Sequence, residues 1–152
     1  MILDLNLEFD PSTAITTTRD STNIIDLGNP RDLGVGTPLV VMLFVTQAFV
    51  SAGGATLAVS VRGSADNVTY YDLIDTQAFS VAKLNTSGTG VQEIALPMKS
   101  IDMPNNVFPR YLKLVYTVAV SSFSAGKIQA ELVQGHDNEI QGQYPSGFTV
   151  AN

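Results

Sequence analysis

The sequence lacks cysteine and tryptophan, and it has a single histidine among its 152 residues. Without cysteine, neither a disulfide framework nor a thiolate metal site can form. The lone histidine, His136, has no second histidine with which to hold zinc, and no nucleophile-elbow sequence accompanies it for a Ser-His-Asp triad. We therefore expect no catalytic residue, no metal site and no cofactor, and we do not expect an enzyme.

Charge is also scarce. Charged residues make up 14% of the chain, and the formal net charge is -6; ordinary soluble domains carry roughly 25% charged residues. Eight scattered lysines and arginines do not form the basic groove that nucleic acid requires, so we expect no nucleic-acid partner. The shortage of charge predicts that other protein covers part of the surface. The alternative is a polar surface built from Ser, Thr, Asn and Gln.

Long apolar runs and targeting signals are missing as well. No run approaches the ~20 residues of a membrane span, so we expect no membrane partner. The first ten residues, MILDLNLEFD, carry acids where a signal peptide would have a basic segment followed by an apolar one. The sequence therefore predicts neither a membrane anchor nor a cleaved leader.

What the sequence does contain is alternation with a period of two residues, which is typical of half-buried β-strands. Two alternating runs lie between Arg110 and Val133, on either side of a small polar turn from Ser121 to Gly126. This pattern predicts a long β-hairpin with one apolar face. That face consists of Leu112, Leu114, Tyr116, Ile128, Ala130 and Leu132.

The segment from Leu39 to Val61 repeats this design. An apolar strand runs to Phe49, a turn follows at Ala52-Gly53-Gly54, and alternation then continues to Val61. The sequence FVSAG at 49–53 also resembles FSAG at 123–126. We predict two hairpins that face each other as the halves of a β-sandwich. The alternative explanation of their likeness is convergence, because short hairpins draw on few turn sequences.

Shorter β-rich stretches complete the predicted fold. They are Ile2–Phe9, which Asp10-Pro11-Ser12 should end, Ala14–Thr18, Asn23–Leu27, Val68–Leu73, Ala78–Leu84 and Val91–Leu96. No window shows a sustained helical period. Roughly eight strands separated by turns predict an all-β protein, either a sandwich, a jelly roll or a barrel, formed by residues 1–133 as one domain. The two facing hairpins favour an antiparallel β-sandwich among these.

Residues 134–152 differ from the rest. Glycines and a proline separate single apolar residues, which are depleted in disordered segments. Spaced apolar residues on an extended backbone favour a tail that lies along another surface. We therefore predict an extended C-terminal docking tail, with interface residues Tyr144, Pro145 and Phe148, over the alternative of a disordered tail.

Three further groups are weaker candidates for a ligand site. The acidic pair Asp72 and Asp75 is more typical of a solvated strand end than of a glycosidase. Asp66-Asn67 could begin a calcium loop, but the pattern does not continue. Tyr70-Tyr71 could stack a sugar ring, yet adjacent residues of a strand point to opposite faces, so only one could lie on a given platform.

Several motifs, in their order and spacing, resemble one known family. They are MILD at the start, STNIIDLG at 21–28, RDLGxG at 31–36, RYLxLxY at 110–116, FxAGK at 123–127 and YPSGF at 144–148. The family is that of the capsid cement proteins of short-tailed double-stranded DNA phages, also called decoration or stapling proteins. The resemblance spans nearly the whole chain and is weakest from Val68 to Met103.

The resemblance implies a jelly roll that binds the outer face of an icosahedral capsid and bridges major capsid protein subunits, without catalysis. It implies synthesis in the host cytoplasm, location in the virion, and self-association, with a homodimer favoured and a trimer possible. Arg31 and Leu33, in one matching loop, join the tail residues as expected interface residues. The rival interpretation is a carbohydrate- or receptor-binding sandwich of a phage tail or cell surface, and the absence of tryptophan argues against it.

Overall fold

The computed structural model describes residues 5–30, 39–86, 91–95 and 108–134, and β-strands dominate these ranges. The strands are β1 (Glu8–Ala14), β2 (Arg19–Asp20), β3 (Ile25–Asp26), β4 (Leu39–Val50), β5 (Thr56–Ser64), β6 (Tyr71–Asp75), β7 (Phe79–Ser80), β8 (Val91–Ala95), β9 (Tyr111–Ala119) and β10 (Ala125–Gln134). A 3-10 turn at Leu5–Leu7 and a four-residue helix, α1 (Val81–Leu84), accompany them. The predicted all-β class is confirmed.

The strands form two antiparallel sheets. The first sheet has the order β1-β10-β4-β8, and the second has the order β2-β9-β5-β6, with β3 also beside β9 and β7 beside β5. The chain passes repeatedly from one sheet to the other, so that strands distant in sequence become neighbours. This order is that of a jelly roll, the double-sheet form of the β-sandwich, as the family resemblance implies.

The core lies between the sheets, and the predicted apolar faces supply it. Leu112, Leu114 and Tyr116 are fully buried, and so are the matching residues of β5 and β10. Burying each large aliphatic side chain stabilises the fold by about 1.5–3 kcal/mol. The residues on these faces are Leu57, Val59, Val61, Leu112, Leu114, Tyr116, Ile128, Ala130 and Leu132.

The two predicted hairpins are wrong, because the two strands of each lie in different sheets. β4 pairs with β10, from Leu39 opposite Gln134 to Val50 opposite Ala125. β5 pairs with β9, from Thr56 opposite Ala119 to Ser64 opposite Tyr111. Each predicted hairpin is instead an arch that crosses the core. We call β4, residues 51–55 and β5 the first arch, and β9, residues 120–124 and β10 the second arch.

The predictions near the N-terminus are partly wrong. The strand expected at Ile2–Phe9 is a 3-10 turn at Leu5–Leu7, and β1 begins only at Glu8 and continues through Pro11. Proline is tolerated because β1 is an edge strand, and the pairing with β10 shifts register on both sides of Asp10. Ala14 ends β1, and Ile15–Thr18 is a loop, not a strand.

The prediction of a strand at Ala78–Leu84 is also wrong. Only Phe79–Ser80 is strand, and α1 follows, with the Ser80 hydroxyl accepting a hydrogen bond from the Lys83 N–H as an N-cap. The Asn85 side chain then binds both the N–H and the carbonyl of Phe49, at 2.9 and 2.8 Å, and ties the helix to β4.

The remaining short strands differ from their predicted bounds. Val91–Leu96 is confirmed as β8, which ends at Ala95, whereas Asn23–Leu27 shrinks to Ile25–Asp26. The strand expected at Val68–Leu73 lies later, at Tyr71–Asp75.

Candidate functional site

The interface residues predicted from the sequence, Arg31, Leu33, Tyr144, Pro145 and Phe148, lie outside the described residues. His136 lies outside them as well. Their role therefore stays a prediction, and so does the boundary between a domain ending at residue 133 and a tail. The described part of the chain offers its own candidates.

Three loops at one end of the sandwich contain no charged residue, although α1, which carries Lys83, also begins near this end, where Ser80 lies opposite Thr56. The sequence contains no Asp, Glu, Lys or Arg from 11 to 18, from 33 to 61 or from 114 to 126. Parts of these stretches meet in space, because Thr56 pairs with Ala119 and the Ile15 N–H donates to the Gly126 carbonyl at 3.1 Å. We call the loops 15–18, 51–55 and 120–124, with the adjoining Val50, the uncharged end.

Hydrogen bonds join the three loops of the uncharged end. The Phe123 N–H donates to the Thr16 carbonyl at 3.1 Å, and the Ser124 N–H donates to the Val50 carbonyl at 2.8 Å. The Ser51 hydroxyl donates to the Ser122 carbonyl at 3.1 Å. Beneath the loops, the rings of Phe49 and Phe123 pack edge to face, with centroids 4.8 Å apart. The loops are therefore held by one another and by the core.

The surface of the uncharged end combines a shallow groove with two exposed valines. The groove has a volume of about 390 Å³ and is lined by Thr16, Thr17, Thr18, Val118, Ser121 and Ser122. Val120, next to it in the chain, is 80% exposed, and Val50 is 52% exposed. Val120 has a φ of 70°, which is costly for a β-branched residue.

Sequence reasoning missed the uncharged end. The signal that could have found it is the set of three charge-free stretches, which are visible in the sequence but distant from one another. The arches that bring them together were predicted as hairpins, so the meeting of the loops was not expected.

The outer face of the second sheet and the opposite end carry paired charges. Each pair joins a basic side chain to an aspartate on a neighbouring strand or loop, and hydrogen bonds from Arg110 and from the Gly28 N–H lower the pKa of Asp26. These charges satisfy one another near solvent, which is typical of a solvated surface and not of a catalytic cleft. The pairs are Arg110–Asp26 at 2.8 Å, Lys113–Asp20 at 2.7 Å and Arg62–Asp72.

The two adjacent tyrosines do not form a sugar-stacking platform. The Lys113 ammonium lies 4.2 Å from the centroid of the Tyr70 ring, and the Tyr70 hydroxyl donates to the Asn67 side chain. Tyr71 begins β6 and is partly exposed. At most the Tyr71 ring remains available to a ligand at this position.

The Asp66 carboxylate builds a turn. One of its oxygens accepts hydrogen bonds from the N–H groups of Thr69 and Val68 and from the Ser64 hydroxyl, each at 2.9 Å. These bonds, that of Thr69 first, lower the pKa of Asp66. The turn accounts for this aspartate without an ion.

Within the described ranges, no three His, Cys, Asp or Glu side chains come together in a way that could hold a metal ion. No helix in these ranges is long and apolar enough to cross a membrane.

A buried charged cluster joins the two sheets. Asp10 of β1 is fully buried, and its Oδ1 accepts hydrogen bonds from Arg19 at 3.0 Å and from the hydroxyl and N–H of Thr22 at 2.6 and 3.1 Å. The Arg19 guanidinium lies over the ring of Tyr116, 4.9 Å from its centroid. Burial, followed by the charge of Asp10, raises the pKa of Tyr116 well above its usual range. Because its acid and its phenol are enclosed, substrate cannot reach them, and the cluster does not form a site for substrate.

A second, polar pocket lies beside β1. It has a volume of about 590 Å³ and is lined by Asn6, Glu8, Thr22, Asn23, Ile24 and Asp26. Amide and carboxylate groups of this kind bind hydroxyl-rich ligands. However, no aromatic side chain is among these lining residues, and Asp26 is already paired with Arg110.

Comparison with known proteins gives a family. The sequence model of the family named Bbp16 matches residues 9–132, which extend from β1 into β10. The chain belongs to the Bbp16 family. No curated protein matches the chain at a significant level.

Among solved structures, this Bbp16 family member is similar to a carbohydrate-binding module of the CBM28 type, specific for non-crystalline cellulose. The TM-score is 0.54, the sequence identity is 10%, and the alignment covers 79% of this chain and 71% of the module. At so low an identity, the likeness shows a shared β-sandwich fold and nothing about the ligand.

Proposed function

We propose that this protein is a capsid cement protein, which binds the outer surface of an icosahedral phage shell and staples neighbouring major capsid protein subunits. Three features support the proposal. The chain resembles cement proteins along nearly its whole length, it belongs to the Bbp16 family over residues 9–132, and it folds as a jelly roll. In this proposal the protein has a structural role and no catalytic activity.

The observation that carries the proposal is the scarcity of unpaired basic groups among the described residues, together with exposed apolar side chains. Four of the six lysines and arginines in the described ranges form ion pairs with aspartates. Large apolar side chains are exposed at both ends of the sandwich, including Val120 at one end and Val68 at the other. A surface with few unpaired basic groups and with exposed apolar groups suits contact with protein better than contact with nucleic acid.

The stapling mechanism rests on multivalency. A modest contact on one shell subunit holds the protein near the next subunit, where a second contact forms at high effective concentration. The tail, with Tyr144, Pro145 and Phe148, supplies one such contact, and the Arg31–Leu33 loop another. We further propose that the protein self-associates as a homodimer, and that its net charge of -6 suits the outer face, away from packaged DNA.

Co-sedimentation with shells of the major capsid protein that lack cement tests this function. The full-length protein should pellet with the shells at a fixed ratio and raise the temperature at which they lose DNA or fall apart. A full-length protein that stays in the supernatant at micromolar concentration would refute the proposal.

A truncated protein tests the tail separately. β10 ends at Gln134, so a protein lacking residues 135–152 should still melt cooperatively but bind shells more weakly, as should Tyr144→Ala with Phe148→Ala. A truncated protein that is folded and binds normally would contradict the docking role. A large drop in melting temperature would mean instead that the tail packs on its own domain.

A carbohydrate- or receptor-binding sandwich of a phage tail or cell surface is the second candidate. The polar pocket formed by residues such as Asn6, Glu8 and Asn23 favours it, because these groups could bind sugar hydroxyls. A glycan array distinguishes the two functions: specific binding abolished by Asn23→Ala would support the second candidate over cement.

A further inference from the structure

We propose that the uncharged end, formed by loops 15–18, 51–55 and 120–124 with Val50, is a second contact surface for the major capsid protein, separate from the tail. The inference rests on the proposed cement function, and it places one of the contacts with the capsid on this end of the sandwich. The occupant is an uncharged part of the capsid protein's outer surface with apolar side chains at its centre.

Val120 supplies the first argument. At a φ of 70°, a β-branched residue carries backbone strain of about 1–2 kcal/mol. Its side chain is 80% exposed, so it gains almost no burial in return within this chain. Strain at a position that packing does not require points to a role outside folding. The left-handed backbone at Val120 holds the side chain out from the end of the sandwich, where a partner can bury it.

The second argument is that the surface is already ordered. Hydrogen bonds between loops, such as Ser124 to Val50 and Phe123 to Thr16, fix the backbone. Thr18 adds a further pair, accepting from the Val118 N–H at 2.9 Å and donating to the Val118 carbonyl at 3.3 Å. A partner therefore binds without ordering a flexible loop, which lowers the entropic cost of the contact.

The third argument concerns charge. A chain of net charge -6 repels other acidic surfaces, and bringing its carboxylates into an interface would require their desolvation. The uncharged end avoids both costs. A contact made there should also depend little on ionic strength, because salt screens charges and not apolar contacts.

Size decides between the capsid protein and a second copy as the occupant. A stable interface between two free proteins takes roughly 20–30 residues from each side. The three loops with Val50 provide fewer, since they comprise only residues 15–18, 50–55 and 120–124. A contact of this size is too weak to hold a dimer in solution, but on a shell it is repeated and is reinforced by the tail.

Val120→Asp, with Val68→Asp as its matched control, tests the inference. Both valines are 80% exposed in turns, and both have positive-φ positions at or beside them, at Val120 and Asn67. Aspartate tolerates the left-handed region at Val120 better than valine does, and Val68 lies outside that region, so both variants should fold. We expect Val120→Asp to weaken shell binding at least about tenfold, and Val68→Asp to change it less than about twofold, in 0.1 M and 0.5 M salt alike.

The outcomes separate this inference from the cement function. If the wild type does not bind shells, the cement proposal itself fails. If the wild type binds and the two variants bind equally, only the uncharged end is refuted. If Val120→Asp binds shells normally but alters sedimentation of the free protein, the occupant is a second copy and the inference is wrong. Unchanged melting of Val120→Asp with weakened binding supports it.

Discussion

Each arch has one residue with a φ close to 70°, but that residue is a glycine in the first arch and a valine in the second. In the first arch, Gly54 has a φ of 69°, and open space surrounds the position where a side chain would begin. In the second arch, Val120 has a φ of 70°. Glycine adopts this angle without penalty, whereas valine is among the least suited residues. Phe49 of the first arch packs on Phe123 of the second.

The difference shows that the two turns do not satisfy folding equally well. The first arch follows the local rule for a tight turn, and its geometry is explained by folding alone. The second departs from that rule at one exposed position, where a glycine would relieve strain. Departures of this kind concentrate at surfaces that serve a partner, because selection for binding can retain a residue that stability disfavours.

The largest expected effect concerns what both arches share, their buried faces. Leu114→Asp places a charge in the core opposite Val61 of the first arch, and it should cost about 4 kcal/mol or more, a large share of the stability of a single domain. Lys113→Ala removes an ion pair with Asp20 and the contact of the ammonium with the Tyr70 ring, and it should cost only about 1 kcal/mol. Chemical denaturation of the two variants measures this, and equal losses would contradict the assignment of faces.

Sequence alone predicts these faces but not the partners of the strands. Leu112, Leu114 and Tyr116 alternate with solvent-facing residues, and the structure buries all three. A hairpin and an arch both turn their apolar faces toward the core, so alternation is the same in either. The five-residue connections at 51–55 and 120–124 are long enough to cross the ~10 Å between sheets. Hairpins also use connections of this length, so loop length does not distinguish the two.

The candidate site was less predictable than the fold. The absence of charge in three stretches is a property of the sequence, but their meeting depends on the pairing of β5 with β9. The strain at Val120 is a property of the backbone and cannot be predicted from the residue pattern, since valine is an ordinary strand residue. Helix α1 is also invisible to sequence pattern, because four residues are too few to show a helical period.

The next effect compares glycines in the two arches. A Cβ added at Gly126, where φ is 147°, would overlap the ring of Phe49, whereas one added at Gly54 meets nothing within 4 Å. Gly126→Ala should therefore cost about 3–4 kcal/mol, from backbone strain and overpacking together. Gly54→Ala should cost about 1–2 kcal/mol, from strain alone. Urea denaturation gives both values, and a Gly54 variant as unstable as the Gly126 variant would show that its turn is packed after all.

A third comparison uses pH, because only one arch has a titratable group at the paired core positions Val59 and Tyr116. The pKa of Tyr116 is raised by burial, while in the unfolded chain it lies near 10. The folded state is thus favoured below pH 10, and stability is lost as pH rises from 10 through the folded-state pKa. The slope should reach about 1.4 kcal/mol per pH unit for this one proton. Tyr116→Phe should flatten it, and an unchanged alkaline slope would exclude Tyr116 as its source.

The smallest expected effect bears most directly on the contrast between the arches. Val120→Gly gives the second arch a glycine at the φ where the first arch has one. The change should stabilise the protein by about 1 kcal/mol, because the relief of backbone strain exceeds the entropy that glycine adds to the unfolded chain. The melting temperature should rise by a few degrees. Gly54→Val makes the reverse change and should lower it. If Val120→Gly is more stable and also binds shells less tightly, the valine is retained for contact and not for folding. A less stable variant would mean that the Val120 side chain contributes to packing, and the strain would then need no partner to explain it.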